Sequence, residues 1–454
     1  MVVPYRCPAL IRWLGESLDS VRLEMPRPPQ RCTGRYTSRV TTTPGQTVSP
    51  EAVRAAAMRI VRVLRDHGHV AYFAGGCVRD ELLGVPPTDF DIATDATPDR
   101  LQAMFTRTSQ VGASFGVVLV RENHVTVEVA TFRADGPYSD RRRPDHVRFS
   151  DPESDARRRD FTINAIFLDP LAEAQNQIID FVGGRADLAA RVLRAVGDPD
   201  ARLQEDHLRA LRAVRFAARL GFEIEPGTVD AIRRHASELS GVSRERIGDE
   251  LRRMLAHPSR ATACAILNGL RLDAAVFDEA WCAVDPSLVG SLAQGAGFTL
   301  ALAAYLIDRA GGDDLAASGS VARVRRALCL SNDESTSVAG ALVVVRRLRT
   351  EWEKLDVIAQ KRLAGHPRFS DGHALLSGWE PELHDAVRRR FQELAGDGIG
   401  IAPVPLVSGD DLILDGFQPN PQFKGILDHV YDAQLSGAVS TKSTALELAR
   451  RLRV

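Results

Sequence analysis

"AGGCVRDELLGVPPTDFDIAT" spans residues 74–94 and carries more chemistry than any other stretch of the chain. The apolar run just before it, "VAYFA" (70–74), reads as a buried strand. Gly75-Gly76 then turns that strand into a short helix, and "DFDIA" (89–93) reads as a second strand. Alternate residues of a strand share a face, so Asp89 and Asp91 are expected to point one way and Phe90 into the core. Two carboxylates on one rigid face suit Mg²⁺, a hard cation that takes oxygen ligands and substrate phosphates. The same spacing also fits a solvated edge strand. Gly75 and Gly76 lack side chains, so their backbone can approach a phosphate closely, at a helix start that favours negative charge. Arg79, one turn further on, is placed to reach the same anion. An ordinary tight turn has the same glycines.

Working outward, Ser49-Pro50-Glu51 is a helix start: an N-cap, a proline in the first turn, then an acid. That helix is expected to run to about His67 and stop at Gly68, and "PDRLQAMF" (98–105) to form another. "GVVLVRENHVTVEVATFR" (116–133) reads as a hairpin turning near Glu122-Asn123. Within it, Glu128 is an acid in an apolar strand, which is costly unless paired or metal-bound. It is either a third catalytic carboxylate or the partner of Arg133 or Arg159. The mixture predicts an α+β domain ending near residue 185. Beyond about 186 the pattern becomes helical, as in "DHLRALRAVRFAARLGF" and "RERIGDELRRMLAH", and from 260 onward only helical segments are expected.

Bulk composition narrows the class. The 454 residues carry a net charge of −1, so any nucleic-acid binding must rest on local basic patches. Only Lys354, Lys361, Lys424 and Lys442 among the 58 basic residues are lysines, a bias that genome composition explains better than phosphate binding does. The six cysteines form no C-x-x-C pair, so reduced thiols and a cytoplasmic location are expected. No apolar stretch of about 18 residues predicts a membrane span. Residues 1–48 are Pro- and Arg-rich and read as a disordered extension.

Six ordered motifs resemble the class II tRNA nucleotidyltransferase (CCA-adding enzyme) and bacterial poly(A) polymerase family. They are "GGCVRDELLG" with "DFDIAT", "GASFGVVLV", "VEVATFR", "RRRDFTINAIF", "DFVGGRADL" with "RAVGDP", and "EDHLRALRAVRFAARLGF", together covering about residues 70 to 225. The resemblance implies an α+β, DNA polymerase β-like nucleotidyltransferase head over 49–185. A helical neck (186–260) and a helical body and tail (261–454) would follow, the latter RNA-binding. It implies that Asp89 and Asp91 are the metal-binding carboxylates, that Gly76 and Arg79 belong to the nucleotide-gripping turn, and that Arg159 contacts the nucleotide. Residues 134–149 take the place of a specificity-switching loop. Asp206, Arg209, Arg212 and Arg215 fall on the helix that reads the base and holds the phosphates.

Physical chemistry supports such a reader. Cytosine and adenine each present an exocyclic amine beside an unprotonated ring nitrogen, which a carboxylate and a guanidinium match. An ordinary salt-bridged helix would place the same residue types there. The expected activity is template-independent addition of C and A to the 3′ end of tRNA, with CTP and ATP as substrates and Mg²⁺ as cofactor. Poly(A) polymerase, a CC-adding or A-adding enzyme, and a non-catalytic RNA-binding protein are the alternatives. Ile307-Asp308 stands where related metal-dependent phosphohydrolase domains have His-Asp, so the body is expected to be at most a degenerate form of such a domain.

Overall fold

In the computed structural model the described residues are 49–110, 116–136, 146–311, 318–418 and 422–453. The extension 1–48, the start of "GASFGVVLV" and the middle of the 134–149 loop (137–145) lie outside them. One compact unit ends at Met254 and adds Thr262–Ala283; the other comprises Leu255–Ala261 and Val284–Val454.

The first unit is built on a seven-stranded mixed sheet. Its strands are β1 (Ala71–Ala74), β2 (Asp91–Thr94), β3 (Thr108–Gln110), β4 (Val117–Glu122) and β5 (Val125–Thr131), then β8 (Phe167–Leu168) and β9 (Ile178–Ile179). Between these in sequence, β6 (Arg133–Asp135) and β7 (Val147–Phe149) pair separately at the two ends of the 134–149 loop. The sheet order is β3-β4-β5-β2-β1-β8-β9, with β2 and β5 parallel and the other neighbours antiparallel. The β4–β5 turn centres on Asn123 and His124, both at positive φ (45° and 68°), the backbone a two-residue hairpin turn of matching twist requires.

The helix Pro50–Asp66 packs on this sheet through Val53, Ala56, Ala57, Ile60, Val61 and Leu64, spaced for one helical face. Ser49 caps it by accepting from the Ala52 amide at 3.3 Å. An aromatic cluster of Tyr72, Phe132 and Phe167 fills the core, with Phe132 edge-on to Phe167 at 5.8 Å. Burying a phenylalanine of this kind stabilises the unit by about 2–3 kcal/mol.

Two expectations shift. The second strand begins at Asp91 rather than Asp89, because the chain arrives from Pro86-Pro87 and pairs with β1 only from Asp91 onward. The region after 186 is not wholly helical. β10 (Val192–Leu193) and β11 (Glu223–Ile224) form a parallel two-residue ladder that brackets the helices Pro199–Glu205 and Leu208–Leu220.

The described part of the second unit is helical. Its core residue Lys361 is fully buried, paired with Asp397 at 2.6 Å and donating to the Leu435 carbonyl at 3.1 Å. Asp308 accepts the backbone amides of Leu288 and Val289, each at 3.0 Å, and so caps the helix Ser287–Ser291. Burial pushes its carboxyl up to about 6, against the pull of those two amides. The acid of Ile307-Asp308 is therefore occupied by structure. His384 of the second His-Asp dipeptide stacks on His373 at 4.1 Å. Among the described residues no helix is long and apolar enough to cross a membrane.

Candidate active site

Asp91 and Glu128 come together on one face of the sheet. Asp91 opens β2 and lies directly opposite Glu128 of β5 in the parallel register. Register neighbours on adjacent strands project side by side. In β5, Val125, Val127, Val129 and Thr131 are buried while Thr126, Glu128 and Ala130 are half-buried, so Glu128 lies on the open face. Asp89 and Asp91 are exposed, and between them Phe90 is 3% exposed and packs edge-on against Phe73 at 5.0 Å. The alternation expected of a strand thus holds at Asp89 although the ladder has not yet begun. Among the described residues Glu128 pairs with neither Arg133 nor Arg159. Three carboxylates supply an all-oxygen donor set, which fits a hard divalent cation.

The turn before them is built for close approach. Gly75 has φ +73° and ψ −131°, a conformation closed to side-chain-bearing residues. A Cβ there would lie 3.4 Å from Arg159 Nη1 and 3.8 Å from Asp91 Oδ2. Gly75 thus stands between a guanidinium and the carboxylate face. Beneath it Cys77 is buried and donates to the Ala74 carbonyl at 3.2 Å. Burial, then the negative charge of Asp91, push its thiol up to about 12, so it stays protonated and is not a nucleophile.

The arginines are held more tightly than sequence spacing implies. Arg79 is 3% exposed and donates to Asp80 at 2.6 and 2.8 Å and to Asn164 Oδ1 at 2.7 Å. Its guanidinium braces the turn from inside. Arg159 donates to Asp155 at 2.9 Å and to the Asn164 carbonyl at 3.1 Å, and lies over the Phe167 ring at 5.0 Å. Arg79, Arg212 and Arg215 surround the single ring of Phe216, at 5.3, 5.3 and 4.3 Å from its centroid. Asp80, Asp160 and Glu250 respectively balance these charges.

The Asp160–Arg212 pair makes a pH prediction. Burial raises the Asp160 carboxyl. The Arg212 charge and hydrogen bonds from Arg212, Asn164 and the Phe161 amide outweigh that and hold it at about 2. A pKa below the usual carboxylate value stabilises the fold above about pH 4, and this stability is lost as pH falls toward the folded value. Its size at neutral pH is about 2 kcal/mol. Urea unfolding of Asp160→Asn and wild type should therefore differ most near about pH 7, the gap narrowing toward about pH 3. A gap independent of pH would show that the pair adds nothing.

The base-reading pair needs correction in its geometry. Asp206 does not lie on the helix that carries Arg209. Asp206 has φ −156° and ψ 102°, an extended residue between the helices Pro199–Glu205 and Leu208–Leu220. Its carboxylate receives two bonds from Arg246, at 2.6 and 3.2 Å. Arg209 instead binds Glu205 and the carbonyls of Arg202 and Arg158, the last two at 2.6 and 3.3 Å. The helix Arg244–Leu255 thus contributes a residue that helical periodicity alone marks only as solvated. Its one sequence signal is a cluster of arginines, "SRERIGDELRR", shared with many surface helices.

Family models match two regions of the chain. The model of the "Poly A polymerase head domain" matches residues 71–194, and that of the "Probable RNA and SrmB- binding site of polymerase A" matches 221–281. The chain is 46% identical over 212 residues to a CCA-adding enzyme of Geobacillus thermodenitrificans, covering 46% of this chain and 52% of that protein. Against several curated relatives of this kind the match spans about half of their length. A CCA-adding enzyme of Limosilactobacillus fermentum is 34% identical over 378 residues, 80% of this chain and 88% of that protein. The crystal structure of the Bacillus stearothermophilus CCA-adding enzyme in complex with CTP superposes with a TM-score of 0.71 at 31% identity, over 90% of this chain and 98% of that one. With its acid face, its glycine turn and a relative matched over most of both lengths, the chain belongs to the family of CCA-adding enzymes and poly(A) polymerase heads.

Proposed function

We propose that this chain adds C and A, without a template, to the 3′ end of tRNA, consuming CTP and ATP and releasing pyrophosphate. The observation that carries the reading is the placement of Gly75, whose missing side chain leaves room beside both Arg159 and Asp91. A triphosphate laid on this turn has a guanidinium on one side and the carboxylate face on the other.

Asp89 and Asp91, with Glu128 beside them, would hold Mg²⁺, which when bound lowers the pKa of an attacking hydroxyl and stabilises charge on the phosphoryl oxygens. The chain's own residues do the rest. The Gly75-Gly76 backbone and Arg159 position the phosphates, and Arg212 and Arg215 add positive charge next to Phe216. Arg79 and Asn164 keep the turn in place through Arg159 and Asp80. Asp206, oriented by Arg246, accepts from the exocyclic amine of cytosine or adenine. Arg209 donates to the adjacent ring nitrogen. Uracil and guanine offer a carbonyl where the amine stands, and a carboxylate repels it.

The test supplies tRNA ending at the discriminator base with each nucleotide singly. CTP alone should be incorporated, ATP only once CTP has been used, and UTP and GTP refused. Incorporation of ATP alone, with CTP ignored, would assign the chain to poly(A) synthesis instead. The second unit should hydrolyse no 2′,3′-cyclic nucleotide with Mn²⁺, Ni²⁺ or Co²⁺, because Asp308 is occupied as a helix cap; hydrolysis surviving Asp89→Ala would contradict this.

A further inference from the structure

His207, His235 and Glu238 meet at a place the catalytic reading does not use. His207 directly follows Asp206 and starts the helix Leu208–Leu220. His235 ends the helix Pro226–His235, and Glu238 lies in the 3-10 segment Ala236–Gly241. One ligand atom from each lies within 4.8 Å of the others. His207 Nε2 is 3.2 Å from Glu238 Oε2, and His235 Nδ1 is 2.8 Å from Glu238 Oε1. On its other side, His235 Nε2 is 3.0 Å from Asp200 Oδ1.

The ring protons of His235 show how a cation would be held. Both nitrogens of His235 face carboxylate oxygens, and ionised carboxylates only accept. A neutral imidazole carries one proton. With that proton on Nε2, it is donated to Asp200, which Arg234 holds at 2.6 and 3.1 Å. The lone pair of Nδ1 then faces Glu238 Oε1, acceptor against acceptor. A second ring proton or a metal ion on Nδ1 satisfies both groups. A carboxylate bound to the far nitrogen of a ligating histidine is the usual outer partner of a metal site, fixing the tautomer and raising ligand basicity. His207 brings a second imidazole to the same glutamate. The residue is 2% exposed, while the Glu238 side chain is 36% exposed and leaves an approach from solvent.

We propose that His207, His235 and Glu238 bind one divalent transition-metal ion of the zinc class, with Asp200 as the outer partner of His235. Two imidazoles and a carboxylate are a zinc-type donor set, with a fourth position left to water. Metal–nitrogen bonds of about 2.0–2.1 Å place tetrahedral ligand atoms roughly 3.4 Å apart, so a pair at the 4.8 Å limit would close by roughly 1.4 Å. The ion would tie together three segments around the backbone that carries Asp206. The all-oxygen face at Asp89, Asp91 and Glu128 favours Mg²⁺, so the two sites differ in preference as well as in residues.

The experiment titrates untagged full-length protein with Co²⁺ in a large excess of Mg²⁺, which keeps the carboxylate face occupied. Wild type should bind one equivalent, show visible ligand-field bands, and release the cobalt to Zn²⁺. Saturating Zn²⁺ should raise the unfolding temperature by roughly 5 °C. His235→Asn and Glu238→Gln should weaken binding by roughly 100-fold or more, and Asp200→Asn by roughly 10–100-fold. Asp91→Asn should bind as wild type does. X-ray absorption of zinc-loaded wild type reads the imidazole ligands without any variant and should show two. Absence of the bands, equal binding by wild type and His235→Asn, loss of binding in Asp91→Asn, or an absorption edge without imidazoles would each overturn the site.

Discussion

Asp91→Ala should lower nucleotide incorporation by roughly 10³-fold or more while leaving the fold and tRNA binding nearly intact. The residue is exposed at the first position of β2, with its backbone held by Ala74 on one side and Glu128 on the other, so truncation removes no core packing. Exposed substitutions of this kind usually change stability by less than about 0.5 kcal/mol. The catalytic loss follows from the donor set: without Asp91 the face retains Asp89 and Glu128, which are not register neighbours of each other. Asp89→Ala should behave similarly. Single-turnover rates at saturating Mg²⁺, alongside unfolding temperatures, separate a lost site from a lost fold. Wild-type-like turnover in either variant would refute the carboxylate mechanism.

The acid face was legible because strand alternation is local. D-x-D around Phe90 and the V-x-V pattern around Glu128 each specify a face without knowledge of the partner strand. That the two faces coincide, through parallel pairing of β2 with β5, is a tertiary fact. The β4–β5 hairpin was readable, its turn centred one residue later than expected, on Asn123-His124. Ion-pair partners were not readable. Arg79 is committed to Asp80 and Asn164, and Asp206 to Arg246, the latter 40 residues away in sequence. A single chain carries no trace of which of its many arginines meets which acid. The break in helix at Asp206 was missed because "QEDHLRAL" has good helical periodicity, and only the extended Asp206 and the cap geometry at His207 show that two helices meet there. The two-residue strands β10 and β11 are too short to leave a pattern.

Loss of base choice is the second large effect expected. If Asp206 accepts the amine of C or A, Asp206→Ala should reduce kcat/KM for CTP and ATP by about 2–4 kcal/mol of transition-state binding, since a hydrogen bond to a charged group disappears and its partner is left unpaired. That is roughly 30- to 1000-fold. UTP and GTP should change little, because the wild-type carboxylate repels their carbonyls. The CTP-to-UTP ratio should therefore collapse. The geometry adds a control. Arg246 holds Asp206 through two bonds, at 2.6 and 3.2 Å, so Arg246→Ala should also relax the ratio, by a smaller factor, while leaving the arginines around Phe216 in place. Arg209→Ala should impair CTP and ATP use but also weaken all four nucleotides, because it removes a cation. An unchanged CTP-to-UTP ratio in Asp206→Ala would mean that the base is read elsewhere.

Product length reports directly what the site makes. The protein is incubated with tRNA ending at the discriminator base, with CTP and ATP in large excess, and products are sized at single-nucleotide resolution over time. CCA addition predicts that every extended molecule stops after C, C and A, and that further incubation adds nothing. Tails that keep lengthening with adenosine, or products that stop after CC with ATP present, would contradict it.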